Sequence, residues 1–137
     1  VVVKDSKYNE LTFIVGGCKL NEHRLNCAMR ELHEETRHVF NTVRSKDLMH
    51  IFSFESRDRS ERELEKDKKE GVYVIMVYNV YILPLPEELI FENIRRKYHK
   101  TKSRDYETND ILLMTKSQLR KSRMWRFMKD NVLEKLI

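Results

Sequence analysis

Val1, Val2 and Val3 open the chain as an uninterrupted apolar run, which predicts a strand. A polar turn over 5–10 and a second strand over 11–15 follow, the latter reading Leu-Thr-Phe-Ile-Val. Over 22–36 the apolar residues Leu25, Ala28, Met29 and Leu32 recur at helical spacing. Residues 47–56 read as a strand. Residues 56–71 carry almost no apolar side chain and predict a solvated loop. Residues 72–86, rich in β-branched and aromatic side chains, predict the strongest strand, ended by Pro84 and Pro86. A helix over 87–100 and a short strand over 110–115 come next. Residues 116–136 read as one helix or two, with Trp125, Phe127, Met128, Val132, Leu133 and Leu136 on or near one face. Strands and helices mix without regular alternation. The expected fold is therefore an α/β sandwich with a mixed sheet, and residues 1–137 read as a single domain without internal repeats. A strand at the first residue implies neighbours before it, so N-terminal residues are expected to be missing.

Composition narrows the function classes. Hydrophobic residues at 40% and charged residues at 36% suit one core beneath a highly charged surface. No apolar run approaches the ~18 residues of a membrane span, and the start shows no signal-peptide pattern. Cys18 and Cys27 form no Cys-x-x-Cys pair. That suggests neither a zinc site nor a disulfide framework, and points to a reducing, intracellular setting, the cytoplasm. The formal charge of +5 is compatible with a polyanionic partner. The five histidines show no metal-ligand spacing, and none is assigned a role.

The densest chemistry lies in the predicted helix. Glu31, Glu34 and Glu35 share one helical face, where each disfavours ionisation of the others. A divalent cation resolves that conflict, and hard ions such as Mg²⁺ or Mn²⁺ take oxygen ligands. Arg30 stands beside them and can hold a carboxylate by paired hydrogen bonds. Gly16 and Gly17 allow close approach of the backbone to a bound ion or phosphate. An isolated Glu-x-x-Glu-Glu would read as a solvated face with Glu–Lys or Glu–Arg pairing.

The full spacing is more specific. Gly16, five residues, Glu22, seven residues, then Arg30-Glu31-Leu32-x-Glu34-Glu35 resembles the signature of the Nudix hydrolase family, the Nudix box falling at 16–38. The resemblance covers residues 11–38. It implies an α/β/α sandwich whose signature forms a loop–helix–loop, and hydrolysis of a diphosphate within a nucleoside diphosphate derivative. Glu31, Glu34 and Glu35 match the family's metal-binding and catalytic glutamates. Arg30 matches the arginine that orients a catalytic glutamate. Glu22 matches the first glutamate, near the metals or in a supporting salt bridge. A backbone carbonyl at the diglycine, counted from Gly16, is a further ligand. Two positions depart from the family pattern. Arg37 stands where the signature ends in glycine, so either arginine adopts left-handed geometry, at about 1–2 kcal/mol, or the helix runs on. Gly17 is followed by only four residues before Glu22.

The wording is similar to that of Nudix enzymes of large DNA viruses, among them poxvirus mRNA-decapping enzymes and the baculovirus ADP-ribose pyrophosphatase. That company implies a capped mRNA as substrate, cleaved to release methylated GDP in the cytoplasm of a host cell. The alternatives are ADP-ribose, cleaved to AMP and ribose 5-phosphate, and a non-catalytic Nudix-fold module that binds nucleotide or RNA. Loss of a signature glutamate would favour the module, and none is lost. A fourth reading, a basic RNA-binding protein without catalysis, leaves the glutamate face unexplained. Decapping calls for a basic path, which residues 95–104 and 116–126 could supply, and for an aromatic platform on which a base stacks. Phe54 and Tyr73 are the candidates for the platform, although each also suits a core. Trp125 reads as core. Glu107, before the late strand, is the candidate for an additional metal ligand or general base.

Overall fold

Val2 and Val3 are 1% and 0% exposed, and their place in the sheet explains it. The computed structural model describes residues 1–101 and 107–136. The strand β1, Val2–Asp5, lies between two antiparallel partners, β2 (Leu11–Thr12) and β5 (Thr108–Leu112). Val3 faces Thr12 on one side and Ile111 on the other. A central strand is covered on both faces, so consecutive valines are both buried. The register with β5 slips between Lys4 and Asp5, a bulge next to Glu107.

This sheet belongs to the larger of two compact units, Val1–Asp47 with Pro84–Ile137. Its helices are α1 (Arg24–Glu35), α3 (Phe91–Lys100), α4 (Lys116–Arg120) and α5 (Arg126–Asn131), while α2 (Glu61–Glu70) belongs to the other unit. Its core holds Cys27, Leu32, Ile94, Tyr98, Leu119, Met128 and Leu133 beside the strand residues. The Tyr98 hydroxyl shares a 2.6 Å hydrogen bond with Thr108 Oγ1, which satisfies the one polar atom of a fully buried ring.

The second unit, Leu48–Leu83, contains β3 (Met49–Ser56), α2 (Glu61–Glu70) and β4 (Met76–Ile82). The strands pair antiparallel, from Met49 opposite Ile82 to Ser56 opposite Met76, with a shift between His50 and Phe52. Phe54 stacks on Tyr78, ring centroids 5.0 Å apart.

Four expectations need correction. All strand ladders among the described residues are antiparallel, in two sheets, and the parallel element is a single bridge from Leu11 to Met124, so the mixed sheet is not formed. The strand expected over 11–15 stops at Thr12, because the Val15 N–H turns to the Glu35 carboxylate instead of a neighbouring strand. Residues 61–70 are helical, not a loop. Ser60 and Glu63 form a reciprocal capping box, Gly71 closes the end at φ 68°, and Arg59 makes paired bonds of 3.0 Å to the buried Asp67. Lastly, Cys18 and Cys27 are joined in a disulfide that ties the glycine loop to α1, where no disulfide was expected. Such bonds persist in oxidising surroundings, and in a reducing cytoplasm the pair would stand as two thiols.

No helix among the described residues is long and apolar enough to cross a membrane.

Candidate functional site

Helix α1 presents its glutamates in two settings. In the first, Arg30 is the hub. Its Nε and Nη2 donate to the two oxygens of Glu22, both at 2.9 Å. Nη1 donates to Glu31 at 2.8 Å and to Glu34 at 3.1 Å, and Nη2 also reaches the Gly17 carbonyl at 2.9 Å. A guanidinium has five N–H donors, and here five contacts use them. The paired bond to Arg30, with the Lys19 backbone amide, pulls the Glu22 carboxyl down to about 2. Arg30 is held more firmly protonated in return.

In the second setting, Glu35 has a different environment. One Glu35 oxygen accepts a 3.3 Å bond from the Val15 N–H. Burial pushes its carboxyl up to about 8, the Val15 bond opposes that, and the negative charges of Glu31, Glu107 and Asp5 add to the rise. The Glu31 carboxyl is raised as well, first by burial, against the pull of Arg30.

Gly16 lies against Glu31. A Cβ on Gly16 would overlap the Glu31 carboxyl group, whereas a Cβ on Gly17 would meet nothing within 4 Å. The two glycines therefore have different jobs. The first makes room for the Glu31 carboxyl group, and the second presents a carbonyl to Arg30.

Arg37 settles the end of the helix. It adopts φ 53° and His38 follows at 60°. The His38 N–H reaches back to the His33 carbonyl at 2.8 Å, and the Arg37 N–H to that of Glu34 at 3.4 Å, the bond pair of a Schellman ending. The left-handed geometry usual for glycine is kept. The Arg37 guanidinium offsets its cost by donating to the carbonyls of Tyr98, Thr101 and Thr108 at 3.0–3.2 Å and lying 4.1 Å from the centroid of the Tyr98 ring.

Glu35 and Glu107 line one cavity of about 940 Å³ in the first unit. The β1–β2 hairpin forms another part of its wall, through Asp5, Lys7, Tyr8 and Glu10, and Trp125 lines it as well. Glu107 is exposed there, and its carbonyl accepts from the Ser6 N–H, which fixes it beside the hairpin. Asp110, nearby in sequence, has a structural place. It takes paired bonds from Arg95 at 3.1 and 2.8 Å and one contact from His99 at 2.9 Å.

Of the aromatic candidates, Phe54 and Tyr73 belong to the second unit. Phe54 packs on Tyr78, and Tyr73 is 72% exposed, with the Arg57 guanidinium 5.7 Å from its ring centroid. Sequence reading missed Tyr8, Glu10 and Trp125 as cavity residues. Helix α5 begins only at Arg126, so Trp125 precedes the helical face to which it was assigned. Three arginines of the two basic stretches pair with carboxylates: Arg95 with Asp110, Arg120 with Glu134, and Arg126 with Asp130. Residues 102–104 of the first stretch lie outside the described residues.

Among the described residues, the one group of three His, Cys, Asp or Glu ligand atoms within 4.8 Å of one another is Cys18, Glu22 and Cys27, whose sulfurs are bonded to each other. No protein-family model matches the chain, and no curated protein and no solved structure gives a match.

Proposed function

We propose that this chain is a divalent-cation-dependent Nudix hydrolase of α/β/α sandwich fold. It cleaves a diphosphate linkage in a nucleoside diphosphate derivative, the 5′ cap of mRNA, releasing methylated GDP. The observation that carries the reading is the Glu35 environment. A carboxylate on a cavity wall, pushed up to about 8 by burial and by three other acids, is a site that calls for a cation.

The donors suit such an ion by type, and in this structure the oxygens of Glu31, Glu34 and Glu35 do not all lie within 4.8 Å of one another. Glu31, Glu34 and Glu35 offer only hard oxygen donors, the type that suits Mg²⁺ or Mn²⁺, and the Gly16 carbonyl would add another. When bound, such ions neutralise the diphosphate oxygens and lower the pKa of a coordinated water. The residues supply the rest. Arg30 fixes the orientation of Glu31 and Glu34 through its Nη1. Glu107, exposed on the cavity wall, takes the proton of the attacking water as general base. The water oxygen bonds to one phosphorus, and the bridging oxygen leaves with the other phosphate.

A second reading, the same chemistry on ADP-ribose, gains from the pairing of Arg95, Arg120 and Arg126 with nearby carboxylates, which leaves less positive surface for an RNA strand. The test is parallel turnover of cap-labelled RNA and of ADP-ribose in Mg²⁺ and in Mn²⁺, with Glu35→Gln as control. Methylated GDP from RNA, in falling yield as salt is added, supports decapping. AMP from ADP-ribose with RNA untouched assigns the second reading. No turnover of either substrate sinks the hydrolase.

A further inference from the structure

We infer that Thr108 is a positioning residue of the site. Its buried hydroxyl fastens the end of α1, which carries Glu35, to the start of β5, which follows Glu107, and so fixes the spacing of the two acids. The inference rests on the hydrolase reading above for the use made of that spacing.

The tie answers a need of the helix end. The last four carbonyls of an α-helix have no partner within it. In α1 the Leu32 carbonyl accepts from the Thr36 N–H at 3.1 Å, the His33 carbonyl from the His38 N–H and the Glu34 carbonyl from the Arg37 N–H. Among the described residues no backbone N–H reaches the Glu35 carbonyl. It accepts instead from the Thr108 hydroxyl at 3.0 Å, 73 positions away in sequence. The last residue of α1 is thus held by its own backbone, and its side chain lines the cavity.

Thr108 is itself held. It is 7% exposed and stands opposite Asp5 on β1. Its Oγ1 lies 2.6 Å from the hydroxyl of Tyr98, a fully buried residue of α3. A carbonyl only accepts, and a threonine hydroxyl has one hydrogen. That hydrogen goes to Glu35, so the Tyr98 hydroxyl donates to Thr108. Burial raises the Tyr98 hydroxyl above its ordinary value, which keeps it a donor. The relay therefore runs one way, from Tyr98 to Thr108 to the Glu35 carbonyl, and joins α3, β5 and α1 at one oxygen. A buried network with every member satisfied favours a single arrangement.

Glu107 is the next residue back along the chain, and Glu35, Glu107 and Thr108 all line the same cavity. In the proposed reaction Glu35 would hold the cation and Glu107 takes the proton of the attacking water. A group that fixes the backbone of one acid beside the other sets the geometry of both without touching substrate. The Arg37 bond to the Thr108 carbonyl is main-chain, so it survives a change of the Thr108 side chain.

Thr108→Val keeps the shape and removes the hydroxyl, and Thr108→Ser keeps the hydroxyl. In the full chain, Thr108→Val is expected to lower kcat by about tenfold or more and to raise the Mn²⁺ concentration for half-maximal rate severalfold, with Thr108→Ser within about threefold of wild type in both. A second readout needs neither ion nor substrate. Amide hydrogen exchange over residues 36–39 is expected to quicken by about tenfold in metal-free Thr108→Val and to stay at the wild-type rate in Thr108→Ser. Tyr98→Phe removes the outer donor and should shift both readouts the same way by about threefold. Wild-type kcat and Mn²⁺ requirement in Thr108→Val overturn the inference. So does unchanged exchange in that variant, or a loss that Thr108→Ser shares. If Thr108→Val fails to fold, Tyr98→Phe decides, and wild-type exchange and turnover there overturn it. Turnover that Thr108→Val matches would sink the positioning role and leave the hydrolase. Quickened exchange in a chain that turns over neither substrate would sink the hydrolase and leave the tie between α1 and β5.

Discussion

Glu22, just before α1, and Glu31 and Glu34 on it meet one arginine, whereas Glu35 is buried near the charges of Glu31, Glu107 and Asp5. The same residue type, within one helix and its approach, thus sits in two electrostatic conditions. Around Arg30 three carboxylates share one guanidinium, which holds the Glu22 carboxyl down at about 2. At Glu35 burial first, and then neighbouring negative charge, raises the carboxyl to about 8. The difference teaches where an external cation has something to gain. It gains most at Glu35, whose carboxyl is raised first by burial and then by the charges of Glu31, Glu107 and Asp5, while Glu31 and Glu34 would share their oxygens between Arg30 and the ion. The charged helix α2 gives a further contrast, since Arg59 takes up both Glu63 and Asp67 and the capping box completes its start.

The comparison breaks most sharply at Glu35. Glu35→Gln is expected to lower turnover at least about a hundredfold, while the metal-free fold stays as stable or becomes more so, because a repelled carboxylate has been removed. Full activity in that variant would end the assignment. A smaller effect separates the two glycines. Gly16→Ala displaces the Glu31 carboxylate and should cost on the order of a hundredfold in rate, and Gly17→Ala should cost little. Steady-state kinetics on both variants would expose a shared role if they fell together.

The next effect is one of pH. The folded Glu35 holds its proton to about 8, against an ordinary value of 4.5. Between those values the fold binds more protons than the unfolded chain. That contribution to stability is whole below 4.5 and is lost as pH rises through 8. Glu22 works in the opposite sense, its contribution present above 4.5 and lost as pH falls through about 2. Urea unfolding of the metal-free protein from about pH 5 to about pH 8.5 should therefore show a downward component that Glu35→Gln removes. A wild-type and variant pair with parallel profiles would refute it. Mn²⁺ should raise the melting temperature more at the upper end of that range than at the lower.

Smallest is Arg37→Gly, which relieves a positive φ but forfeits three hydrogen bonds and the contact with Tyr98. A net loss of roughly 1 kcal/mol is expected, and a gain in the melting temperature would show that the guanidinium contributes nothing.

How far the chain could be read in advance depended on the range of the interactions. The α1 helix, the β1 strand and the carboxylate spacing follow from periodicity and nearest neighbours, and they were legible. So was the capping box Ser60-x-x-Glu63, although the low apolar content of 56–71 outweighed it. Sheet partners were not legible, because β1 is flanked by strands from opposite ends of the chain, β2 and β5. The same distance hid the cavity. Tyr8 and Trp125 share it only because Leu11 and Met124 pair across more than a hundred residues of sequence. The Arg30 network could be anticipated in part from Glu34, four residues on, but the bonds to Glu22 and the Gly17 carbonyl depend on the loop.

Arg37 also has an evolutionary consequence. A glycine ends a helix with its own backbone and leaves the rest of the chain free to drift. Arginine ends this one by borrowing carbonyls from the C-terminal end of α3 and from the first residue of β5. The close of α1 has thereby become contingent on Tyr98, Thr101 and Thr108. Because the borrowed groups are main-chain carbonyls, side chains at Thr101 and Thr108 can change without touching these bonds, and the coupling falls on the backbone path there and on the Tyr98 ring.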